Sequence, residues 1–266
     1  MSKQFIIITV VIAILVIALL AYLRSRKNFQ QKLNKKFPDQ WKAILSKDVK
    51  FYAQLNNADK SLFEQRVQLF LLTKDIEPVD TEIDDTIRLL VASSAIIPTF
   101  AFPDYNYPKI RTVLIYPGNF DEKYQTRNFK GNDGNIIGMV DSRFQNGTTV
   151  ILSKPGLISA FDGSSHKENV GIHEFVHLLD KEDGEVDGIP EALLKHEYVG
   201  PWLREIKNEM RRIEKGHSDI NPYALTNNAE FLAVVSEYFF DNPEKFHNRH
   251  PELYQRLSMI FNQPKI

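Results

Sequence analysis

The chain has 266 residues, enough for one sizeable domain or two small ones, and its 43% hydrophobic and 25% charged content is typical of globular proteins. Its net charge of −1 gives no electrostatic reason to expect nucleic-acid binding. The absence of cysteine excludes disulfides, thiol nucleophiles and thiolate metal sites, so any metal ion would be held by His, Asp or Glu.

The amino-terminal region predicts a membrane anchor. After a short tail at residues 1–4, residues 5–23 form a run of 19 uncharged residues, about the length that a helix needs to cross a bilayer. A secretory signal normally has a shorter apolar region with a small-residue cleavage site, so we favour a retained transmembrane helix. Residues 24–36 form a basic linker, and the positive-inside rule then places a domain at residues 37–266 in the cytoplasm, on a single-pass protein of the cell membrane.

The next part of the chain predicts helices followed by a small sheet. Apolar residues at spacings of three and four indicate helices from about residue 37 to residue 100. Residues 121–134 are polar and predict a surface loop, and Asn146-Gly147 predicts a hairpin turn. Short β-branched runs predict three strands, at Thr112–Tyr116, Ile136–Val140 and Thr148–Leu152. An edge strand of such a sheet could pair with an extended peptide substrate.

The stretch from Asn169 to Asp180 contains the pattern His-Glu-x-x-His. Residues four apart lie above one another on a helix, so His173 and His177 can bind one divalent ion. Zinc accepts imidazole nitrogen readily, and a catalytic zinc keeps an open position for water. Glu174 lies beside the two histidines and could take the proton of that water. A chance match on a surface helix is the alternative.

The flanking residues support a helix here. Ser165-x-x-Glu168 has the form of a capping box, and one face of the helix is apolar, with Ile172, Phe175 and Leu179. Asp180 falls on the histidine side. It could accept a hydrogen bond from a ligand imidazole, or it could be a solvated carboxylate near the helix end.

The spacing leaves the third ligand open. Asp183 is a poor candidate because the glycine that would allow a sharp turn is missing. Glu230 and Glu237 are seven residues apart on a predicted helix at residues 226–240, so they share a face. One could bind the metal while the other supports a ligand. Alternatively, Glu230 is the capping partner of Asn227 and Glu237 is a solvated side chain.

Two separated motifs resemble those of one known family. The run His-Glu-Phe-Val-His-Leu-Leu-Asp from His173, and the later run from Ala229 to Phe240 with Tyr223-Ala224 before it, resemble the MtfA (Mlc titration factor A) family of zinc peptidases. The resemblance implies an α+β zincin-like fold, mostly helical with a small sheet and related to the catalytic domain of anthrax lethal factor. It also implies Glu230 as the third ligand.

The resemblance further implies one Zn²⁺ per chain, Glu174 as general base and Tyr223 as donor to the oxyanion of the tetrahedral intermediate. The chain is therefore expected to be a membrane-anchored zinc metallopeptidase that acts on a peptide or protein and does not bind nucleic acid. The alternative is a regulatory protein-binding module on the same fold with little or no hydrolytic activity.

Overall fold

The computed structural model describes residues 3–121, 136–141, 148–163, 168–191, 193–194 and 196–263. The chain divides into two compact units, one at residues 1–38 and the other at residues 39–266. The predicted loop at residues 121–134, the Asn146-Gly147 turn and the predicted capping residue Ser165 lie, apart from residue 121, outside the described residues.

The first unit contains a single described helix, α1 (Lys3–Leu33), which covers both the predicted span and most of the predicted linker. Large apolar side chains from Val11 to Leu23 are exposed along it. In the described part of the chain, no helix combines the length and the apolar character that a membrane crossing requires. The structure therefore does not support the transmembrane anchor predicted for residues 5–23.

The second unit is an α+β domain, mostly helical with one small sheet, as predicted. Its described helices are α2 (Asp39–Asp48), α3 (Lys50–Gln54), α4 (Asn57–Thr73), α5 (Asp85–Thr99), α6 (Lys154–Asp162), α7 (Val170–Asp180), α8 (Val199–Glu214), α9 (Asn228–Asp241), α10 (Pro243–Arg249) and α11 (Pro251–Ile260). Its described strands are β1 (Asp75–Pro78), β2 (Ile110–Tyr116), β3 (Gly138–Asp141) and β4 (Thr148–Ser153).

The four strands form one sheet in the order β1-β2-β4-β3. β2 is parallel to both β1 and β4, whereas β3 is antiparallel to β4 and lies at the edge. The three predicted strands correspond to β2, β3 and β4. The prediction of helix throughout residues 37–100 is wrong at β1, whose sequence Asp-Ile-Glu-Pro has little intrinsic strand preference and is extended because it pairs with β2.

The core of the second unit forms around α7, which packs against α5 and α9. α5 and α9 are apolar on nearly all sides, and most of their side chains are buried. α7 approaches α5 closely at Gly171, where an added Cβ would lie 2.0 Å from Ser94 Oγ. The central helix is thus fixed between two buried helices, while the edge strand β3 lies over it.

Candidate metal centre

α7 carries the His-Glu-x-x-His pattern, and its first turn is fixed by Asn169. The Asn169 side-chain oxygen accepts the Ile172 N–H at 3.0 Å, so Asn169 is the N-cap of a helix that begins at Val170. The apolar face of α7 is buried, which leaves His173 and His177 on the opposite side with 13% and 15% of their side chains exposed. The two imidazoles are therefore adjacent and accessible.

Glu230 reaches the same point from the first turn of α9. The Asn227 side chain caps this helix and accepts the Glu230 N–H at 2.8 Å. Glu230 Oε2 lies 3.0 Å from His173 Nε2 and 3.5 Å from His177 Nε2, and the two Nε2 atoms are 3.0 Å apart. Three potential ligand atoms from two helices therefore converge on one point.

These three atoms fit a zinc ion. Zn–N and Zn–O bonds of about 2.0–2.1 Å at tetrahedral angles place neighbouring ligand atoms about 3.3 Å apart, close to the observed 3.0–3.5 Å. Two imidazoles and one carboxylate are also the ligand chemistry of several catalytic zinc sites, which keep a fourth position open. The donor set therefore suits a catalytic rather than a closed structural site.

Glu237 fixes the orientation of His173. Glu237 Oε1 lies 2.6 Å from His173 Nδ1, and because an ionised carboxylate only accepts hydrogen bonds, Nδ1 donates and Nε2 is left as the ligand atom. The other oxygen of Glu237 accepts the backbone N–H of Asn169. Glu237 is 4% exposed, so the structure places it as a buried support of an imidazole and not as a solvated side chain.

The histidine and glutamate side chains of the candidate metal centre shift one another's pKa values. Burial alone would lower the pKa of His173, but Glu237 and Glu230 more than offset this and raise that pKa well above its usual value. Burial likewise opposes ionisation of Glu230, yet its hydrogen bonds to His173 and His177 lower its pKa to about 2. A metal ion would therefore meet an ionised carboxylate and would have to replace the proton on His173.

Glu174 lies beside the two histidines and is almost completely buried. Burial raises its pKa, while the nearby imidazoles act in the opposite direction. The edge strand β3 covers this side chain at Gly138, where an added Cβ would lie 2.6 Å from Glu174 Oε1 and 2.5 Å from Val170 Cγ2. Only glycine lets the strand approach the glutamate this closely, so strand and carboxylate are in direct contact.

Tyr223 lies next to the site on a 3-10 helix at Pro222–Leu225. Its ring centroid is 6.2 Å from that of His173, and its side chain is half exposed. Burial raises its pKa, and the charges of Glu230 and Glu174 add to this, so the hydroxyl keeps its proton at neutral pH and can donate a hydrogen bond. Tyr223 thus lies beside the three potential ligands with a protonated hydroxyl.

Asp180 is buried at the end of α7 and not solvated there. Its Oδ2 accepts the Gly188 N–H at 3.0 Å, and among the described residues its Oδ1 has no hydrogen-bond partner. Burial raises its pKa to about 6, with the Gly188 hydrogen bond acting in the opposite direction. In the structure Asp180 thus holds the segment that follows α7. Asp183 lies outside the group of three potential ligands.

Sequence reasoning missed three residues that shape this centre. Asn169 directly precedes an apolar helical run, which is the position of an N-cap, yet the cap was assigned to Ser165. Gly138 is an isolated glycine within a strand pattern, which indicates close backbone approach. Asp241, which accepts a hydrogen bond from Asn169, gives no local signal because its role depends on the packing of α9.

Comparison with known proteins identifies relatives along most of the chain. Uncharacterized protein slr2042 from Synechocystis sp. (strain PCC 6803) is 28% identical over 272 residues, which covers 95% of this chain and 96% of that protein. Mlc titration factor A from Cronobacter sakazakii is 28% identical over 244 residues, 85% of this chain and 86% of that protein. Mlc titration factor A from Escherichia fergusonii is 31% identical over 212 residues, 73% and 75% of the two chains.

The family described as glucose-regulated metallo-peptidase M90 matches residues 22–262, which include the whole of the candidate metal centre. The predicted resemblance to Mlc titration factor A is therefore confirmed at the level of the family. The chain belongs to the M90 metallopeptidase family.

Proposed function

We propose that this protein is a zinc-dependent peptidase that hydrolyses peptide bonds with Glu174 as general base. The observation that carries the proposal is the convergence of His173 Nε2, His177 Nε2 and Glu230 Oε2, with a buried carboxylate beside them. Membership of a metallopeptidase family supports the same assignment. A purely structural metal site needs ligands but no adjacent base, so Glu174 favours catalysis over a structural role.

The residues of the site have separate roles in this proposal. Zinc bound by His173, His177 and Glu230 would supply Lewis acidity, lowering the pKa of a water molecule and polarising the substrate carbonyl. Glu174 takes a proton from the attacking water and passes it to the leaving amine. Burial raises the pKa of Glu174, which brings the carboxylate closer to the value that suits a general base near neutral pH. The Tyr223 hydroxyl donates a hydrogen bond to the oxyanion.

The edge strand β3 offers a place for the substrate backbone. Within the described residues β3 pairs only with β4, and its Gly138 touches the Glu174 side chain. An extended peptide that pairs with the outer edge of β3 would run past the catalytic glutamate. This arrangement favours a peptide or an unfolded protein segment as substrate.

A regulatory binding function is the second candidate, favoured by the names of several relatives. Proteins named Mlc titration factor A cover most of this chain, and a titration factor by name acts through a partner. On this alternative the fold would hold a regulatory protein and hydrolyse little or nothing. No particular partner is assigned to this chain.

One experiment separates the two functions. The full chain and the variant Glu174→Gln are compared for zinc content and for hydrolysis of a mixed peptide library by mass spectrometry, with Glu244→Gln, on the exposed first turn of α10, as matched control. We expect all three proteins to hold one zinc and only Glu174→Gln to lose hydrolysis. A zinc-loaded parent without hydrolysis would support the binding function, and a parent that binds no zinc would refute the metal site.

The proposed chemistry depends only on residues of the second unit.

A further inference from the structure

Asn169 connects the two helices that carry the metal centre through three hydrogen bonds. Its side-chain oxygen caps α7, and its backbone N–H donates to Glu237. Its side-chain amide nitrogen donates to Asp241 Oδ1 at 3.3 Å. Asn169 is completely buried, so these groups depend on each other for their hydrogen bonds.

The spacing on α9 places these groups in one row. Glu230, Glu237 and Asp241 are separated by seven and four residues, so all three lie on one face of the helix. The first approaches His173 Nε2, the second binds His173 Nδ1, and the third binds Asn169. Asp241 is thus the last group in a series that runs from His173 through Glu237 and Asn169.

Two carboxylates one helical turn apart repel each other unless donors are placed between them. Asn169 supplies one donor to each, through its backbone to Glu237 and through its side chain to Asp241. From α3, Lys50 Nζ donates a hydrogen bond to the backbone oxygen of Asp241 at 3.4 Å, and its charge also favours the ionised carboxylate. Burial and the charge of Glu237 raise the pKa of Asp241 to about 7, while the Asn169 hydrogen bond and the charge of Lys50 act in the opposite direction.

We propose that Asn169 and Asp241 form a positioning pair that sets the zinc affinity of the site by holding Glu237 against His173. Among the described residues, no hydrogen bond joins either side chain to His173, His177 or Glu230, so the pair acts through Glu237. The inference rests on the proposed zinc function. It adds that Asn169 and Asp241 hold Glu237, which in turn orients His173. Supports of this kind typically change metal affinity by about 10–100-fold when removed.

Reversing the hydrogen bond tests the pair. Asn169→Asp keeps the cap oxygen and the backbone donor but places a carboxylate against Asp241. Asp241→Asn keeps an acceptor for the Asn169 amide. In the double variant an amide at position 241 donates to a carboxylate at position 169, so the hydrogen bond is restored with opposite polarity.

Zinc affinity is measured on the full chain by competition with a chromophoric chelator, and cobalt absorption reports the ligand geometry. We expect Asn169→Asp to bind zinc about tenfold more weakly, Asp241→Asn to stay within about threefold, and the double variant to recover most of the loss. Melting temperatures of the metal-free proteins show whether a change in zinc affinity results from a loss of overall stability.

Asn56→Asp is a matched control. Asn56 also caps a helix, α4, and its amide donates to a carboxylate, Asp59 Oδ2, at 2.7 Å, but on the exposed surface. We expect this variant to keep the parental zinc affinity and cobalt spectrum.

The positioning pair would be overturned if Asn169→Asp bound zinc as tightly as the parent, or if the double variant bound zinc as weakly as Asn169→Asp. Either result would leave the zinc function intact. A parent that binds no zinc would refute the proposed function, and the inference would fail with it.

Discussion

The contact between Gly138 and Glu174 makes a quantitative prediction for the variant Gly138→Ala. The added methyl group would lie 2.6 Å from Glu174 Oε1, 2.8 Å from its Cγ and 2.5 Å from Val170 Cγ2. Ordinary contact begins near 3.4 Å, so the carboxylate must move by roughly 0.8 Å or rotate to another conformation. The Glu174 carboxylate can rotate, whereas buried, β-branched Val170 on α7 shifts less readily, so we also expect some loss of stability.

The catalytic cost can be measured separately from the cost in stability. A displacement of about 1 Å in a catalytic group can reduce the rate about 100-fold, which corresponds to about 2.7 kcal/mol in activation free energy. We therefore expect kcat/KM of Gly138→Ala to fall about 100-fold while the zinc content stays at one per chain. None of the three nearest atoms to the added methyl group belongs to His173, His177 or Glu230.

The assay is hydrolysis of a peptide substrate identified from the library, with zinc content measured on the same preparations. Gly118→Ala is the matched control, because Gly118 has no positive φ and an added Cβ there meets nothing within 4 Å. A folded, zinc-loaded Gly138→Ala protein that hydrolyses the substrate at the parental rate would refute the positioning of Glu174 by β3.

Three further predictions concern stability. Buried His250 lies between Glu209 Oε1 at 3.1 Å and Asp219 Oδ1 at 2.8 Å, and these carboxylates raise its pKa although burial acts to lower it. The stabilisation that protonated His250 provides is therefore complete below about pH 6.5, the pKa of histidine in the unfolded chain. It is lost as the pH rises through the higher pKa of His250 in the folded protein. Denaturant titrations from pH 6 upward should show this decline, and His250→Gln should flatten it; an unchanged profile contradicts the reasoning. Phe175→Ala removes a fully buried ring from the core and should cost about 3–5 kcal/mol in free energy of unfolding, so a loss below 1 kcal/mol would be inconsistent with its packing. Chelation of zinc should lower the melting temperature of the parent, because the metal binds only the folded site, whereas His173→Ala should show no such shift.

The local part of the metal centre could be predicted from the sequence. Helical geometry alone places His173 and His177 together, and a spacing of seven places Glu230 and Glu237 on one face of α9. The sequence left open which glutamate approaches which nitrogen, because that depends on how α9 packs against α7. The structure assigns Glu230 to the Nε2 side and Glu237 to Nδ1.

Other features required long-range packing that no local pattern encodes. β1 lies in a region predicted to be helical and is extended because it pairs with β2. Asp180 was placed on the histidine side of α7 by the helical wheel, but the returning chain gives it the Gly188 N–H as a partner. The transmembrane helix is predicted from the length of the uncharged run at residues 5–23 and the basic residues after it, and no described helix supports it.

The two histidines and Glu230 come from separate parts of the chain, and this has a consequence for biosynthesis. Translation proceeds from the amino end, so the ribosome makes both imidazoles well before the carboxylate that joins them. A nascent chain that stops short of α9 offers only two neutral ligands and cannot hold zinc firmly. On the proposed chemistry, peptide cleavage therefore cannot begin until α9 has been synthesised and has packed against α7.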